Sequence, residues 1–205
     1  MSVTALKNAK TVREQVSAEE WQKRVDLAAC YRLVHLYGMD EMIANHISTQ
    51  VPGEPGVFLL NPYGYLYDQM HASCFVKVDY DGNTLFDPTG LGPNRAGFVI
   101  HSAIHKARHD VDCVIHTHTL AGMAVSAMKQ GLMPLAQTAM RFIDIGYHDY
   151  EGPAIRMDEQ ERLVKNLGDR EVMILKNHGL LAVAPSIPEA FNNIWRLERA
   201  CQLQV

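Results

Sequence analysis

The chain has 205 residues, of which 47% are hydrophobic and 20% are charged, as in an ordinary globular domain that buries a core. Its formal net charge of −4 gives no basic footprint, so the composition argues against a nucleic-acid partner. No apolar run approaches the roughly 18 residues that a membrane span needs, which argues against a membrane partner.

The N-terminal segment is polar and aperiodic, and we interpret residues 1–17 as a flexible arm before a single domain over residues 18–205. It has no apolar stretch of the kind that a signal peptide carries. The four cysteines are far apart and show no CxxC pairing; they are Cys30, Cys74, Cys113 and Cys201. Such cysteines are typical of buried or free thiols in a reducing compartment, so we expect a cytoplasmic protein.

The first predicted helix begins at a capping-box pattern, with Ser17 followed by Glu20, and its apolar spacing stops at Gly38. Three short strand-like runs follow it, at 46–51, 57–61 and 74–79. The last run alternates in polarity and leads into Asp81-Gly82, which is a hairpin signal.

The second half of the chain alternates between helical and strand patterns. The predicted segments are a helix over 98–109, a strand over 113–119, a helix over 120–128, an irregular stretch over 141–153, a helix over 157–167, a strand over 171–177, its hairpin partner over 179–184 and a last helix from Ser186. The chain stops inside that helix without a closing cap, so we expect a further C-terminal segment in the natural protein. This mixture of helices and hairpins predicts one α/β/α-layered domain.

Two histidines, His116 and His118, are two residues apart on a predicted strand, where side chains at i and i+2 point to one face. They could share a cation, although this spacing alone fits equally well two histidines held by ordinary hydrogen bonds. His178 stands where a buried strand ends before Gly179, which is a suitable turn for a third ligand. Three histidines with one open coordination position are the pattern of catalytic zinc, and imidazole also suits iron or manganese.

Three other histidines are spaced four residues apart on the predicted helix over 98–109 and therefore share a face; they are His101, His105 and His109. We expect His101 to be buried near the site. Lys106 and Arg108 interleave with the other two histidines, for which surface or packing roles are expected. His148 lies among several titratable groups in "GYHDY" and is a further pocket candidate.

Several stretches resemble, in order and spacing, the class II aldolase/adducin domain family over about residues 20–205. They are "ANHIS", "LNPYGYLY", "GFVIHSAIHKARHDVDCVIHTHTLAGMAVSAM", "GYHDYEG" and "LGDREVMILKNHGLLAVAPSIPEAFNNIWRLERACQLQV". The resemblance implies a three-layer α/β/α fold around a central, mostly antiparallel sheet, and a homotetramer. In the family's sugar-phosphate aldolases, zinc is held by histidines that fall on His116, His118 and His178.

The chain departs from those aldolases where they handle protons and phosphate. Their acid/base glutamate falls on Gly97, and a positioned general base is worth about 10²–10⁴-fold in rate. Their phosphate-binding residues fall on positions with other chemistry here, which makes five residues candidates for substrate binding: His46, Asn61, Tyr63, Gly64 and Arg95. Because arginine pairs bidentately with carboxylates, this set favours a carboxylate or an aromatic acid over a sugar phosphate.

The favoured interpretation is a metal-dependent carbon–carbon lyase, an aldolase or a decarboxylase, acting on a small hydroxy or keto carboxylic acid. A divalent cation, Zn²⁺ before Fe²⁺ or Mn²⁺, would polarise the substrate as a Lewis acid. With glycine at position 97, proton transfer would fall to His101, Tyr147 or His148. His101 is the first choice, since it lies on the segment that carries the glutamate in the aldolases.

Two alternatives stay open. The "AGFVIHSAI" and "GYHDY" stretches resemble the adducin-like branch of the family most closely, which implies a non-catalytic binding or assembly module. The family also contains iron-dependent oxygenases, which implies that the same three histidines could hold Fe²⁺ for oxygen chemistry.

Overall fold

The computed structural model describes residues 10–152 and 159–205. Within these ranges the strands are β1 (His46–Gln50), β2 (Val57–Leu60), β3 (Val76–Asp79), β4 (Thr84–Phe86), β5 (Cys113–Thr117), β6 (Gly146–His148), β7 (Val172–Leu175) and β8 (Gly179–Ala184). They form one sheet in the order β4-β3-β2-β1-β5-β8-β7-β6. Every neighbouring pair is antiparallel except β6 and β7, which confirms the expected mostly antiparallel sheet.

The helices of the described ranges are α1 (Val12–Gln15), α2 (Ala18–Leu36), α3 (Arg95–Ala107), α4 (Leu120–Ser126), α5 (Gln137–Met140), α6 (Gln160–Leu167) and α7 (Ile187–Gln204), with a 3₁₀ turn at Tyr67–Gln69. The side chain of Ser17 accepts a hydrogen bond from the Glu20 backbone N–H, so α2 begins where the capping pattern predicted. Ser186 caps α7 in the same way, through the Glu189 backbone N–H.

Helices cover both faces of the sheet. Ile115 of β5 joins the core cluster that contains side chains of α2, α4, α5 and α7. Its neighbour Val114 points to the opposite face and packs with α3 and α6. Because successive strand residues alternate between faces, this one strand contributes side chains to both cores. The three-layer α/β/α architecture is thereby confirmed.

Two strands were given no range from the sequence: Thr84–Phe86, which the Asp81-Gly82 hairpin signal only implied, and Gly146–His148. Gly146–His148 lies in the stretch that was interpreted as irregular, and it pairs in parallel with β7 at the edge of the sheet. Three residues are too short for an alternating pattern to show.

Residues 1–9 of the predicted arm lie outside the described residues, as does the start of the helix predicted over 157–167. Of the arm, Val12–Gln15 forms a single helical turn with no buried side chain. The arm and the domain limits stay predictions. Among the described residues, no helix is both long and apolar enough to cross a bilayer.

Candidate metal centre and adjoining cavity

Three histidines converge at one end of the central strands. His116 lies in β5, His118 follows the last residue of that strand, and His178 lies in the turn between β7 and β8. The Nε2 atom of His116 is 2.8 Å from Nε2 of His118 and 3.2 Å from Nε2 of His178. All three ligand atoms lie within 4.8 Å of one another, so the structure brings together the three residues that the sequence selected.

The remaining ring nitrogens of two of these histidines face acceptors. Nδ1 of His116 is 2.9 Å from the Leu180 carbonyl oxygen, and Nδ1 of His118 is 2.8 Å from Oε2 of Glu41. A carbonyl and a carboxylate only accept hydrogen bonds, so each Nδ1 carries the hydrogen. The lone pair is then on Nε2 of each ring and points into the cluster. This arrangement, with outer partners fixing the ligating nitrogen, fits a divalent cation.

Burial favours the ligating, neutral form of these imidazoles. It holds the pKa of His116 well below the ordinary value, and the neighbouring histidines lower it further. Burial also lowers the pKa of His178 to about 4, with smaller contributions from His118 and His148. A neutral imidazole is the form that binds a metal, so at neutral pH no proton competes strongly for these two ligands.

The turn that carries His178 is held close to β5. Ser126 receives the His178 backbone N–H on its Oγ at 3.2 Å, and Asn177 takes a left-handed conformation with φ of +55°. A Cβ on Gly179 would lie 2.4 Å from the Thr117 carbonyl oxygen and 3.1 Å from Cδ2 of His118. Glycine is therefore required after His178 because backbone and ligand rings approach it closely.

A cavity of about 430 Å³ opens at the cluster, and His46, His118, His178 and Tyr150 are among its lining residues. This volume is within the range of small-molecule sites. A second cavity, of about 740 Å³, shares its Ala44 and Ala96 walls. The two therefore adjoin.

The second cavity contains two of the five candidate substrate-binding residues, Tyr63 and Arg95. Arg95 is exposed at the first position of α3 and has no ion pair among the described residues. Asn61 is only 2% exposed, and its Oδ1 has no hydrogen-bond partner within the described ranges. Gly64 follows Tyr63 in an exposed turn with φ of +86°.

His46 and His101 form a buried pair between β1 and α3. Nδ1 of His46 is 2.8 Å from Nε2 of His101. The His46 ring lines the metal-site cavity, and its centroid is 4.9 Å from that of His116. His101 is fully buried as expected, although its Nδ1 is also engaged, 2.5 Å from Oγ of Ser48.

Tyr147 and His148 contact other parts of the protein, because consecutive residues of β6 point to opposite faces. The Tyr147 hydroxyl accepts a hydrogen bond of 3.0 Å from the Leu132 backbone N–H. His148 is buried with Nε2 3.1 Å from Oε1 of Glu159 and Nδ1 2.9 Å from the side-chain amide of Asn166. Neither residue is among those that line the cavity at the cluster.

Sequence reasoning missed two residues at this centre, Glu41 and Tyr150. Glu41 reaches His118 from a turn 77 residues away in the chain. The Tyr150 ring lies 6.2 Å from the His178 ring and is half exposed. Tyr150 belongs to the same "GYHDY" stretch that pointed to His148, so the segment was informative while the residue chosen within it was not the one at the cavity.

Converging histidines at the end of a mostly antiparallel sheet, in an α/β/α domain, agree with the class II aldolase/adducin class of fold that the sequence resembles. The chain belongs to the Class II Aldolase and Adducin N-terminal domain family, whose model matches residues 25–205. The resemblance seen in the sequence is thereby confirmed.

The similar proteins include both enzymes and adducins. An aldolase II superfamily protein from Pseudomonas syringae superposes with a TM-score of 0.93 at 52% identity, covering 95% of this chain and 79% of that one. L-fuculose 1-phosphate aldolase from Glaciozyma antarctica PI12 gives a TM-score of 0.81 at 29% identity, covering 100% of this chain and 80% of that one. Alpha-adducin of Mus musculus is 48% identical over 186 residues, which are 89% of this chain and 25% of the adducin.

Proposed function

We propose that this protein is a metal-dependent carbon–carbon lyase that cleaves a small hydroxy or keto carboxylic acid. One divalent cation, most simply Zn²⁺, would be held by His116, His118 and His178. The observation that carries the proposal is the convergence of their three Nε2 atoms at the wall of a cavity of ligand size. Fe²⁺ or Mn²⁺ would suit the same imidazoles.

The bound cation would act as a Lewis acid toward a carbonyl or hydroxyl group of the substrate. Arg95, in the adjoining cavity, would pair with the substrate carboxylate through its guanidinium. Tyr63 would supply an aromatic wall beside it, and the neighbouring Asn61 and Gly64 would shape the turn. These residues would orient the acid so that its reacting carbon faces the cluster.

Proton transfer at that carbon would fall to an imidazole of this chain. His46 lines the cavity, whereas His101 stands behind it with both nitrogens engaged. In our proposal His101 therefore acts through His46. Tyr147 and His148 would support the edge of the sheet rather than contact the substrate, and the hydroxyl of Tyr150 is a second group within reach of the cavity.

Metal content tests the first part of the proposal. Protein purified without chelator should contain about one equivalent of metal per chain by mass spectrometry, and His178→Ala should reduce this below about a tenth. The matched control is His109→Ala, because His109 is exposed and lies outside the cluster. Less than about a tenth of an equivalent in the unaltered protein would overturn the proposal and favour a binding or assembly module, which the 48% identity to alpha-adducin supports.

Turnover tests the second part. Zinc-loaded protein should cleave at least one acid in a panel of small hydroxy and keto acids, with products followed by NMR. Arg95→Ala should raise KM about tenfold or more, and Arg95→Lys less, since lysine cannot form the paired contact. Arg196→Ala, on the exposed side of α7, is the control. Cleavage of sugar phosphates alone would contradict the substrate class, and oxygen uptake dependent on Fe²⁺ would select an oxygenase instead.

We also propose that the protein works as a cytoplasmic homotetramer. Light scattering should then report a mass of about four times the 23.0 kDa of one chain. A monomer at micromolar concentration would contradict this assembly.

A further inference from the structure

A chain of four buried side chains runs from the metal-site cavity into the interface between β1 and α3. From His46, the contacts pass to His101, where Nδ1 and Nε2 are 2.8 Å apart, and then to Ser48, whose Oγ is 2.5 Å from Nδ1 of His101. The same Oγ is 2.8 Å from Nε2 of His105. Each of the four residues is at most 1% exposed.

The contacts and the burial favour neutral imidazoles, because a hydrogen bond between the ring nitrogens of His46 and His101 needs an acceptor nitrogen on one of them. Burial also holds the pKa of His101 well below the ordinary value and lowers that of His105 to about 4. A neutral imidazole has one N–H donor and one acceptor nitrogen.

Neutrality makes the direction of the hydrogen bonds cooperative. The single hydroxyl hydrogen of Ser48 can point to only one of its two imidazole neighbours, so the other must donate to Ser48. His101 then donates with one nitrogen and accepts with the other, which passes the same direction on to His46. All three hydrogen bonds therefore run one way. Nδ1 of His105, at the inner end, is buried and has no hydrogen-bond partner within the described ranges, which favours the hydrogen on its Nε2 and hence the direction toward the cavity.

That direction decides what His46 offers to a ligand. Its Nδ1 is taken by His101, so Nε2 is the nitrogen left for the cavity that the ring lines. If Nδ1 of His46 donates, Nε2 presents a lone pair. If Nδ1 accepts, Nε2 presents an N–H. The two states differ in the polarity of the group beside the cluster.

We propose that Nε2 of His46 contacts the substrate and that the chain through His101, Ser48 and His105 holds His46 in a single tautomer. The last three are then positioning residues, which act through His46 without touching the substrate. The substrate contact rests on the proposed function, whereas the single tautomer is a property of the folded, metal-loaded protein and can be measured without turnover.

The experiment is NMR of zinc-loaded protein with ¹⁵N-labelled histidine, since the two ring nitrogens of a single tautomer have widely separate shifts. The signals of His46 are assigned by their loss in His46→Gln. We expect well-separated nitrogens in the unaltered protein and intermediate shifts in Ser48→Ala. Ser48→Thr keeps the hydroxyl and should keep the separation. Ser102→Ala removes a buried serine of α3 that makes none of these hydrogen bonds, and it should keep the separation too.

Binding of glycolate, a two-carbon hydroxy acid, reports on the contact itself. Ser48→Ala should raise the dissociation constant for glycolate about tenfold or more. Ser102→Ala should leave that constant within twofold of the value for the unaltered protein. If Ser48→Ala does not fold, His105→Gln takes its place. Its amide both donates and accepts, so the direction of the chain is no longer imposed.

Intermediate His46 shifts in the unaltered protein, or unchanged shifts in Ser48→Ala and His105→Gln, would overturn the inference. Unchanged glycolate affinity in a variant with averaged shifts would overturn the substrate contact. A protein that shows the ordered tautomer yet cleaves no acid of the panel would instead contradict the proposed function.

Discussion

The imidazole of His46 occupies the space that any side chain at position 97 would need. A Cβ built on Gly97 would lie 2.8 Å from Cγ and 2.9 Å from Cβ of His46, well inside normal contact. A carboxylate at position 97 and the observed His46 ring therefore exclude each other. Relative to the aldolases, this chain therefore shows two linked differences. The glutamate side chain of α3 is replaced by Gly97, and the imidazole of His46 from β1 fills the space.

This exclusion predicts a change of sign in the effect of Gly97→Ala. In the unaltered protein the extra methyl group should lower the free energy of unfolding by about 1–3 kcal/mol through overpacking. In a His46→Gly background both the Cβ and the ring of residue 46 are gone, so the clash is removed and alanine at position 97 should raise the free energy of unfolding by roughly 0.5–1 kcal/mol. Urea denaturation of the four proteins of this cycle measures the coupling. Equal effects in both backgrounds would show that His46 does not occupy that space.

Glu41 should strengthen metal binding without ligating the metal. Its Oε2 holds Nδ1 of His118 at 2.8 Å, and outer partners of this kind are worth about 10–100-fold in metal affinity. We expect Glu41→Gln to weaken zinc binding by that factor in a competition titration with a chromophoric chelator. Glu161→Gln, at an exposed position on α6, is the charge-matched control. Identical zinc affinities in the two variants would show that Glu41 does not support metal binding.

The buried histidines should make the metal-free protein sensitive to acid. An unfolded histidine has a pKa of about 6.5, whereas burial lowers that of His105 to about 4. The unfolded state therefore binds more protons between these values, and the free energy of unfolding should fall as the pH drops from about 6.5 to about 4. Removing one such group should reduce the slope by up to about 1.4 kcal/mol per pH unit.

Urea unfolding in the presence of chelator at several pH values provides the measurement. His105→Gln should show the shallower slope, and His109→Gln, at an exposed position, should keep the slope of the unaltered protein. A slope that His105→Gln leaves unchanged would mean that this imidazole is not neutral in the fold.

Gly179→Ala should impair the metal centre through the backbone. The added Cβ would meet the Thr117 carbonyl oxygen at 2.4 Å, so the turn that carries His178 must move away from β5. We expect zinc affinity to fall at least tenfold in the same competition titration. Gly53→Ala is a control for glycine removal, because its φ is +75° but no atom lies within 4 Å of the added carbon. Unchanged zinc affinity in Gly179→Ala would contradict the close approach.

The three histidines of the cluster could be predicted from local patterns. His116 and His118 share a strand face by the period of a strand, and His178 stands at the end of a strong apolar run that Gly179 closes. Each inference needs only neighbouring residues. The supports of the same centre could not be predicted in this way, since Glu41 reaches His118 across 77 residues from a turn with no periodicity.

Two predicted catalytic residues do not line this cavity, and the reason is related. Tyr147 and His148 were chosen because titratable groups are dense around them, but the three-residue strand that carries them was not recognised. Its alternation sends one side chain toward Leu132 and the other toward Glu159. The position of His46 against His116 likewise depends on which strands are neighbours. A long connection separates β1 from β5, so their pairing cannot be inferred from local sequence.

His46 and His116 are directly opposite each other in the ladder between β1 and β5. Side chains alternate along a strand, so a shift of β1 by one residue would turn His46 away and present Ile47 to the cluster. Imidazole and hydrocarbon would then change places in the wall of the cavity. The chemistry of this centre therefore depends on strand alignment, and a mutation at the Gln50 end of β1 that changed the register would alter it without replacing a histidine.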